Sequence, residues 1–196
     1  MKRLAVVMRH GECDKQKYND GPLTKEGERC VRYSTQRLKN VLRMHFQPGT
    51  RQVTVSIAML VSGSLRGLDT YRIMREELDR DDWLMSNGFV LVRQEISTKF
   101  FSTPDEDVKW HALRADETFK AATAMLGGDE ALLTNAHELI HGPACRVVAV
   151  TRDGTEPLTI VITHSPHDRL IVEGLTGTRP TDTLELGCFR IVEFEQ

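Results

Sequence analysis

The stretch LAVVMRHGE, residues 4–12, decides the fold class. Its first five residues form a continuous apolar run that is rich in valine, which predicts a strand buried on both faces of a sheet. Strands of this kind belong mainly to parallel sheets that are covered by helices on both sides. The apolar run ends at Arg9, and His10 follows at once. The stretch therefore predicts a central strand of an α/β sheet with polar chemistry at its carboxyl end.

The order strand, polar loop, helix recurs along the chain. Thr24 is predicted to cap a helix that ends before Pro48, and a second apolar strand over residues 53–61 precedes a helix over residues 68–78. Further strands are predicted over residues 89–96, 146–151, 158–163 and 188–194, and further helices over residues 108–126, 129–141 and 168–175. We expect a three-layer α/β/α sandwich with a mostly parallel central sheet, in a single domain spanning residues 1–196.

One connection is predicted to be antiparallel. The predicted strands 146–151 and 158–163 flank Asp153-Gly154, which is a hairpin signal although the connecting segment is longer than a minimal turn. We expect these two strands to form a hairpin, either as a partner surface or as completion of the sheet.

Composition and charge limit the classes of function. The 196 residues are 40% hydrophobic and 28% charged, which suits a domain with a sizeable core. The formal net charge of -2 provides no overall basic field for nucleic acid, and no apolar run approaches the length of a membrane span. Four scattered cysteines lack metal-type spacing. We expect a cytoplasmic protein with neither a nucleic acid nor a membrane as its partner.

Candidate site residues follow three predicted strands at their carboxyl ends. In open α/β sheets, ligands bind outside these ends, so we expect the side chains to converge. Two arginines and two histidines at one mouth would form a cationic pocket, and the planar fork of arginine matches the oxygens of phosphate. The residues are Arg9, His10 and Glu12 after the first strand, Ser62, Ser64 and Arg66 after the second, and His164 and Ser165 after the strand over residues 158–163.

Four motifs at these positions resemble the histidine phosphatase superfamily, the phosphoglycerate-mutase-like proteins. They are RHGE at residues 9–12, PLTKEG at 22–27, SGSLRGLDT at 62–70 and TH at 163–164, and they occur in the order typical of that family. The resemblance covers most of the chain. It implies a metal-independent phosphatase without a cofactor, which acts on a phosphorylated small molecule or a phosphoprotein through a phosphohistidine.

The resemblance also implies roles for individual residues. His10 would attack phosphorus as a neutral imidazole, with its other ring nitrogen held by a backbone carbonyl. Arg9, Arg66 and His164 would contact the nonbridging oxygens and stabilise the charge on the transferring phosphoryl group. Ser165 would either contact the phosphate or cap the helix that follows it.

The leaving group needs a proton, and the family takes it from an acidic residue in the middle of the chain. Glu95 is the best match for this general acid, although other acids such as Glu106 and Asp107 lie nearby in the sequence. The pKa of Glu95 would have to be raised by burial or by a neighbouring carboxylate. Glu12 is a second candidate for this role, or for positioning His10.

Two other classes of function remain open. His137, Glu138 and His141 fit the helical pattern of a zinc metalloprotease, but Gly142-Pro143 ends the helix and no clear third ligand follows. We therefore expect no metal. A non-catalytic phosphate-binding module would retain the pocket without the acid, and only Glu95 separates that interpretation from the enzyme by sequence.

A phosphomutase is the alternative within the enzymatic interpretation. Mutases of the family carry an asparagine soon after the first motif, where this chain has Gln16, and here the loop soon reaches Pro22. The His164-Ser165-Pro166 turn resembles that of small phosphatases acting on phosphohistidine in proteins. These features favour a phosphatase and leave a phosphoprotein substrate open, while the sequence sets neither the physiological substrate nor the oligomeric state.

Overall fold

A five-stranded sheet with helices on both faces forms the centre of the molecule. The computed structural model describes residues 2–14, 21–46, 54–97, 155–164 and 167–195. The strands are β1 (Lys2–Arg9), β2 (Thr54–Ser62), β3 (Phe89–Ser97), β4 (Thr155–Thr163) and β5 (Phe189–Glu195), and the helices are α1 (Lys25–His45), α2 (Leu65–Asp79), α3 (Asp82–Ser86) and α4 (His167–Thr176).

The strands lie in the order β3-β2-β4-β1-β5. β1 pairs in parallel with β4, β4 with β2, and β2 with β3, whereas β5 runs antiparallel to β1. The predicted mostly parallel sheet is confirmed. β1 and β4 are neighbours, and their register pairs Arg9 with Thr163 at the carboxyl ends of both strands. The residues that follow these two strands therefore start from adjacent positions.

The apolar run of β1 is continuous because helices cover both faces of this strand. Leu4, Val6 and Met8 pack on the side of α1 and α2, whereas Ala5 and Val7 pack on the side of α4. Alternate residues of a strand point to opposite faces, so burial on both faces requires an apolar residue at every position. The predicted three-layer sandwich is confirmed by these two cores.

Capping residues decide where the helices next to the site begin. The Thr24 hydroxyl accepts a hydrogen bond of 2.9 Å from the Gly27 amide, and α1 starts at Lys25 as predicted. The Ser64 hydroxyl likewise accepts from the Gly67 amide at 3.2 Å. Ser64 therefore starts α2 at Leu65, three residues before the predicted beginning.

The predicted hairpin is wrong for residues 158–163. Over this range β4 already pairs with β1 on one side, and over Leu158–Ile162 it pairs with β2 on the other, both in parallel. A strand with both edges occupied has no place for an antiparallel partner. The predicted strand over residues 146–151 and the predicted helices over residues 108–126 and 129–141 lie outside the described residues.

None of the helices in the described ranges combines the length and the apolar character that a membrane span requires.

The loop after β1 lies directly against the first turn of α1. A Cβ atom on Gly27 would lie 2.1 Å from the carbonyl oxygen of Glu12, and one on Gly11 would lie 2.8 Å from the carbonyl oxygen of Gly27. Both distances are far below van der Waals contact, and the neighbouring atoms belong to the backbone. The two glycines therefore allow the loop that carries His10 to pack against the helix.

We predict that Gly27→Ala lowers the free energy of unfolding by about 3 kcal/mol, since the loop and the helix must separate to admit a methyl group. Gly177→Ala is the matched control. Gly177 has a φ of +72°, and a Cβ atom added there would meet no described atom within 4 Å, so only backbone strain of about 1 kcal/mol is expected. Urea unfolding measures both values, and equal losses would contradict the close packing at Gly27.

Candidate active site

The backbone of His10 is held by the end of β4 and by the segment that leads into β5. Its amide donates to the carbonyl of Thr163, the last residue of β4, at 2.9 Å, and its carbonyl accepts from the Gly187 amide at 2.9 Å. The Arg9 amide donates to the Cys188 carbonyl at 3.0 Å. These bonds continue the sheet for one residue beyond β1 and fix the position from which the His10 side chain leaves.

The His10 ring has one defined tautomer when it is neutral. Its Nδ1 lies 2.7 Å from the carbonyl oxygen of Gly11, and a carbonyl oxygen only accepts, so Nδ1 carries the proton. The neutral ring then keeps its lone pair on Nε2. His10 is buried. The structure thus contains the backbone carbonyl contact that the family resemblance implies.

Thr70 joins the His10 loop to the first turn of α2. Its hydroxyl accepts from the Gly11 amide at 3.1 Å and donates to the Arg66 carbonyl at 2.7 Å. The residue is fully buried. Thr70 belongs to the third sequence motif but was assigned no role from sequence, and its contacts show that it sets the relative position of the loop and of Arg66.

Arg66 is buried in the first turn of α2, directly after the Ser64 cap. The hydroxyls of Ser62 and Ser64 are hydrogen bonded to each other at 2.9 Å. A buried cation opposes the positive end of the helix dipole, an arrangement that a bound anion would stabilise.

The Arg9 guanidinium is held from one side. Its Nη1 donates to the Leu184 carbonyl at 2.8 Å, while its buried Nε has no hydrogen-bond partner among the described residues. Burial lowers the pKa of Arg9, and the charge of Arg66 lowers it further, whereas Asp168 opposes both effects. Arg66 therefore acts on Arg9 as a neighbouring cation.

His164 stands among the other candidate residues. Burial is the main cause that holds its pKa well below the usual value, and His167, His10, Arg66 and Arg9 add to the effect, in this order. His164 is therefore neutral at neutral pH. A phosphate dianion among these groups would oppose the field of the two arginines and raise the pKa of His164.

Two buried residues of α4 were not predicted as part of the site. The rings of His164 and His167 lie edge to face with centroids 4.4 Å apart, and burial lowers the pKa of His167 to about 4. Asp168 Oδ2 accepts from the Leu184 amide at 2.7 Å, and burial raises the pKa of Asp168 although Arg9 opposes the shift. Their only sequence signal was their place at a helix start just after His164.

The sheet register gives the position of the Glu95 backbone relative to β1. Glu95 pairs with Leu60 in the sheet, and Leu60 pairs with Val161. Val161 in turn pairs with Val7, so Glu95 lies level with a residue three positions before His10. β3 is also three strands away from β1, which corresponds to about 14 Å across the sheet. The backbones of Glu95 and His10 are therefore not neighbours in the sheet.

The remaining candidates lie elsewhere. Glu12 is exposed, and its Oε2 accepts from the Thr24 hydroxyl at 3.1 Å, so the carboxylate belongs to the cap region of α1. Ser165 and the zinc motif, His137, Glu138 and His141, lie outside the described residues. Within the described ranges, no three histidine, cysteine or acidic side chains are arranged to hold a metal ion.

Comparisons with known proteins bear on the fold. No family model and no curated protein sequence matches the chain. A solved structure of the protein histidine phosphatase SixA with tungstate has a TM-score of 0.52 at 14% identity, over 97% of this chain and 96% of that chain. A phosphoglycerate mutase from Bacillus anthracis has a TM-score of 0.58 at 14% identity, over 99% of this chain and 88% of that chain. A mycobacterial glucosyl-3-phosphoglycerate phosphatase has a TM-score of 0.51 at 15% identity, over 90% of this chain and 80% of that chain.

The architecture defines an α/β/α sandwich that carries Arg9 and the buried residues His10, Arg66 and His164 at or just beyond the carboxyl ends of its parallel strands. The similar structures are phosphohistidine phosphatases and phosphoglycerate mutases, which are members of the histidine phosphatase superfamily. This chain has the fold of that superfamily, as the sequence motifs predicted.

The buried histidine of α4 predicts a pH-dependent stability. The folded pKa of His167 is about 4 against an ordinary value of 6.5, so below pH 6.5 the unfolded chain binds a proton that the folded chain does not. Stability therefore rises between about pH 4 and pH 6.5. Relative to His167→Phe, we expect the parent to lose about 3 kcal/mol between pH 7 and pH 4, by linkage.

Urea unfolding at several pH values measures this difference. His45→Phe is the control, because His45 is exposed at the end of α1 and should leave the slope unchanged. A pH profile that is the same for the parent and for His167→Phe would contradict the burial of a neutral His167.

Proposed function

We propose that this protein is a metal-independent phosphohydrolase that works through a phosphohistidine on His10. The single observation that carries the proposal is the state of the His10 ring. Its Nδ1 proton is held by the Gly11 carbonyl, which keeps the lone pair on Nε2 in the neutral form. Nε2 is then the nucleophile, and the arginines and His164 are the groups that act on an anion beside it.

The reaction has two steps, transfer of the phosphoryl group to His10 and hydrolysis of the phosphohistidine. Nε2 of His10 forms a bond to phosphorus while the ester P–O bond breaks and the leaving oxygen takes a proton. Water then attacks phosphorus, the N–P bond breaks, and inorganic phosphate leaves as the ring recovers its lone pair. Arg9 and Arg66 stabilise the charge that spreads over the nonbridging oxygens in both steps.

His164 supplies a charge that depends on the substrate. The ring is neutral without an anion because burial and the neighbouring cations hold its pKa down. An incoming phosphate dianion favours protonation, and the protonated ring then donates to an oxygen of the transferring group. Binding and charge complementarity are thus coupled at this residue.

The proton donor for the leaving group has no assigned residue in this proposal. The backbone of Glu95 lies three strands from β1, and Glu12 is an exposed partner of the α1 cap, so neither carries the assignment. This gap determines the choice of test substrate. p-Nitrophenolate is a stable leaving group that needs little protonation. Hydrolysis of p-nitrophenyl phosphate therefore tests the chemistry of His10 independently of which residue is the general acid.

The substrate class we propose is a phosphorylated small molecule or a phosphoprotein. Three of the similar proteins are named as a protein histidine phosphatase, a phosphoglycerate mutase and a glucosyl-3-phosphoglycerate phosphatase, and all three names refer to the chemistry of a phosphoryl group. A phosphomutase would use the same His10 chemistry but would return the phosphoryl group to a hydroxyl of an acceptor. Release of inorganic phosphate in water separates a phosphatase from a mutase.

The first test is hydrolysis of p-nitrophenyl phosphate with a metal chelator present. We expect the parent protein to be active and His10→Ala to lose about 1,000-fold or more in kcat, because the nucleophile is gone. His45→Ala is the matched control, since it removes an exposed histidine and should keep full activity.

Three other outcomes would contradict the proposal. Activity that disappears with the chelator would favour the metal alternative at His137, Glu138 and His141. Full activity in His10→Ala would exclude this histidine as the nucleophile. A parent protein that binds tungstate but hydrolyses no phosphorylated compound would be a phosphate-binding module.

A further inference from the structure

Leu184 joins a buried carboxylate to a guanidinium through its own peptide groups. It lies in the segment between α4 and β5, where its amide donates to Asp168 Oδ2 at 2.7 Å. Its carbonyl accepts from Arg9 Nη1 at 2.8 Å. A single residue therefore carries a continuous hydrogen-bonded connection from Asp168 to Arg9.

The connection holds one side of Arg9 and leaves the other side available. With Nη1 bound to Leu184, one terminal nitrogen of the guanidinium is held in place, and the buried Nε has no hydrogen-bond partner among the described residues. The edge formed by Nε and the second terminal nitrogen is one that pairs with two oxygens of a phosphate. A long side chain with many rotamers would otherwise lose this orientation in part of the population.

Charge favours the same arrangement. Arg9 is lowered in pKa by burial and by Arg66, and the Asp168 carboxylate opposes both effects. Asp168 is 2% exposed, and its Oδ1 has no hydrogen-bond partner in the described part of the chain. The cations acting on the carboxylate are Arg9 from β1 and Arg190 from β5, and the Leu184 and Arg169 amides donate to it.

The segment that contains Leu184 also contacts the nucleophile. The Gly187 amide donates to the His10 carbonyl at 2.9 Å, and the Cys188 carbonyl accepts from the Arg9 amide at 3.0 Å. A displacement of this segment would therefore be transmitted to the backbone of both residues. Asp168 anchors the segment at Leu184, the residue whose carbonyl accepts from Arg9.

We infer that Asp168 is a positioning residue, which holds Arg9 through the Leu184 peptide so that the Nε edge stays oriented for a phosphate. The inference rests on the proposed function of the site. Asp168 makes no contact with the substrate in this account, and its effect on activity passes through Arg9.

A double-mutant cycle tests this inference, with kcat/KM for p-nitrophenyl phosphate and the inhibition constant of tungstate as readouts. Asp168→Ala removes the acceptor for the Leu184 amide, and we expect it to lower kcat/KM about 30-fold, mainly through KM. In the Arg9→Ala background, the same change should cost less than about twofold, because the residue to be positioned is absent.

Two variants act as controls for the cycle. Asp168→Asn keeps an oxygen that accepts from the Leu184 amide, so we expect its kcat/KM to stay within about threefold of the parent. Asp182→Ala removes an exposed carboxylate of the same segment that pairs with Arg190 at 2.7 Å, and it should leave kcat/KM unchanged. Urea unfolding checks each variant, and Asp168→Ser replaces Asp168→Ala if the latter does not fold.

The possible results are distinct. An equal loss from Asp168→Ala with and without Arg9 would overturn the inference, as would an Asp168→Asn variant that is as impaired as Asp168→Ala. In both cases an active parent leaves the proposed function intact. If the parent shows no turnover, calorimetric tungstate affinity serves for the same cycle, and a parent that neither turns over nor binds tungstate overturns the function together with the inference.

Discussion

The parallel pairing of β1 with β4 is the constraint on which the candidate site depends. These strands are neighbours in the middle of the sheet, and their register places Arg9 opposite Thr163. The chain therefore leaves both strands at the same edge, and the His10 amide reaches the Thr163 carbonyl. The cost of this arrangement is a stretch of β1, residues 4–8, with no polar residue on either face. The cationic groups are confined to the ends of the strands and the first residues beyond them, where helices α2 and α4 begin.

Burial and the close grouping of these cationic residues explain the lowered pKa values of Arg9 and His164. Burial holds the pKa of His164 well below its usual value, and the neighbouring His10, Arg66 and Arg9 lower it further, so His164 is neutral at neutral pH. Burying charge is expensive unless a partner is present. The carboxylate of Asp168 stabilises the charge of Arg9 within the folded chain, and in our account a bound phosphate stabilises the cations further. The cations destabilise the fold when no anion is bound, and the same cations would make the site selective for a dianion.

The sequence predicted the convergence of His10, Arg66 and His164 because it shows where buried strands end, and in a parallel sheet those ends meet. It could not predict the position of Glu95, since a strand pattern does not give the register between strands. Here the pairing of β2 with β3 shifts between Ile57 and Ala58. The connection from Asp168 to Arg9 could not be predicted either, because it runs through the backbone amide and carbonyl of Leu184, which any residue except proline could provide. The hairpin prediction used a local turn signal, whereas the two parallel partners of β4 are distant in sequence.

The most direct test of the central claim is to trap the phosphorylated protein. The parent protein would be mixed with p-nitrophenyl phosphate, quenched within a turnover in alkaline solution, digested and mapped by mass spectrometry. We predict a single phosphoryl group on His10, linked through Nε2, which is lost on acid treatment and absent from His10→Ala. A protein that turns over with no phosphoryl group on His10, or with one on another residue, would contradict the phosphohistidine mechanism.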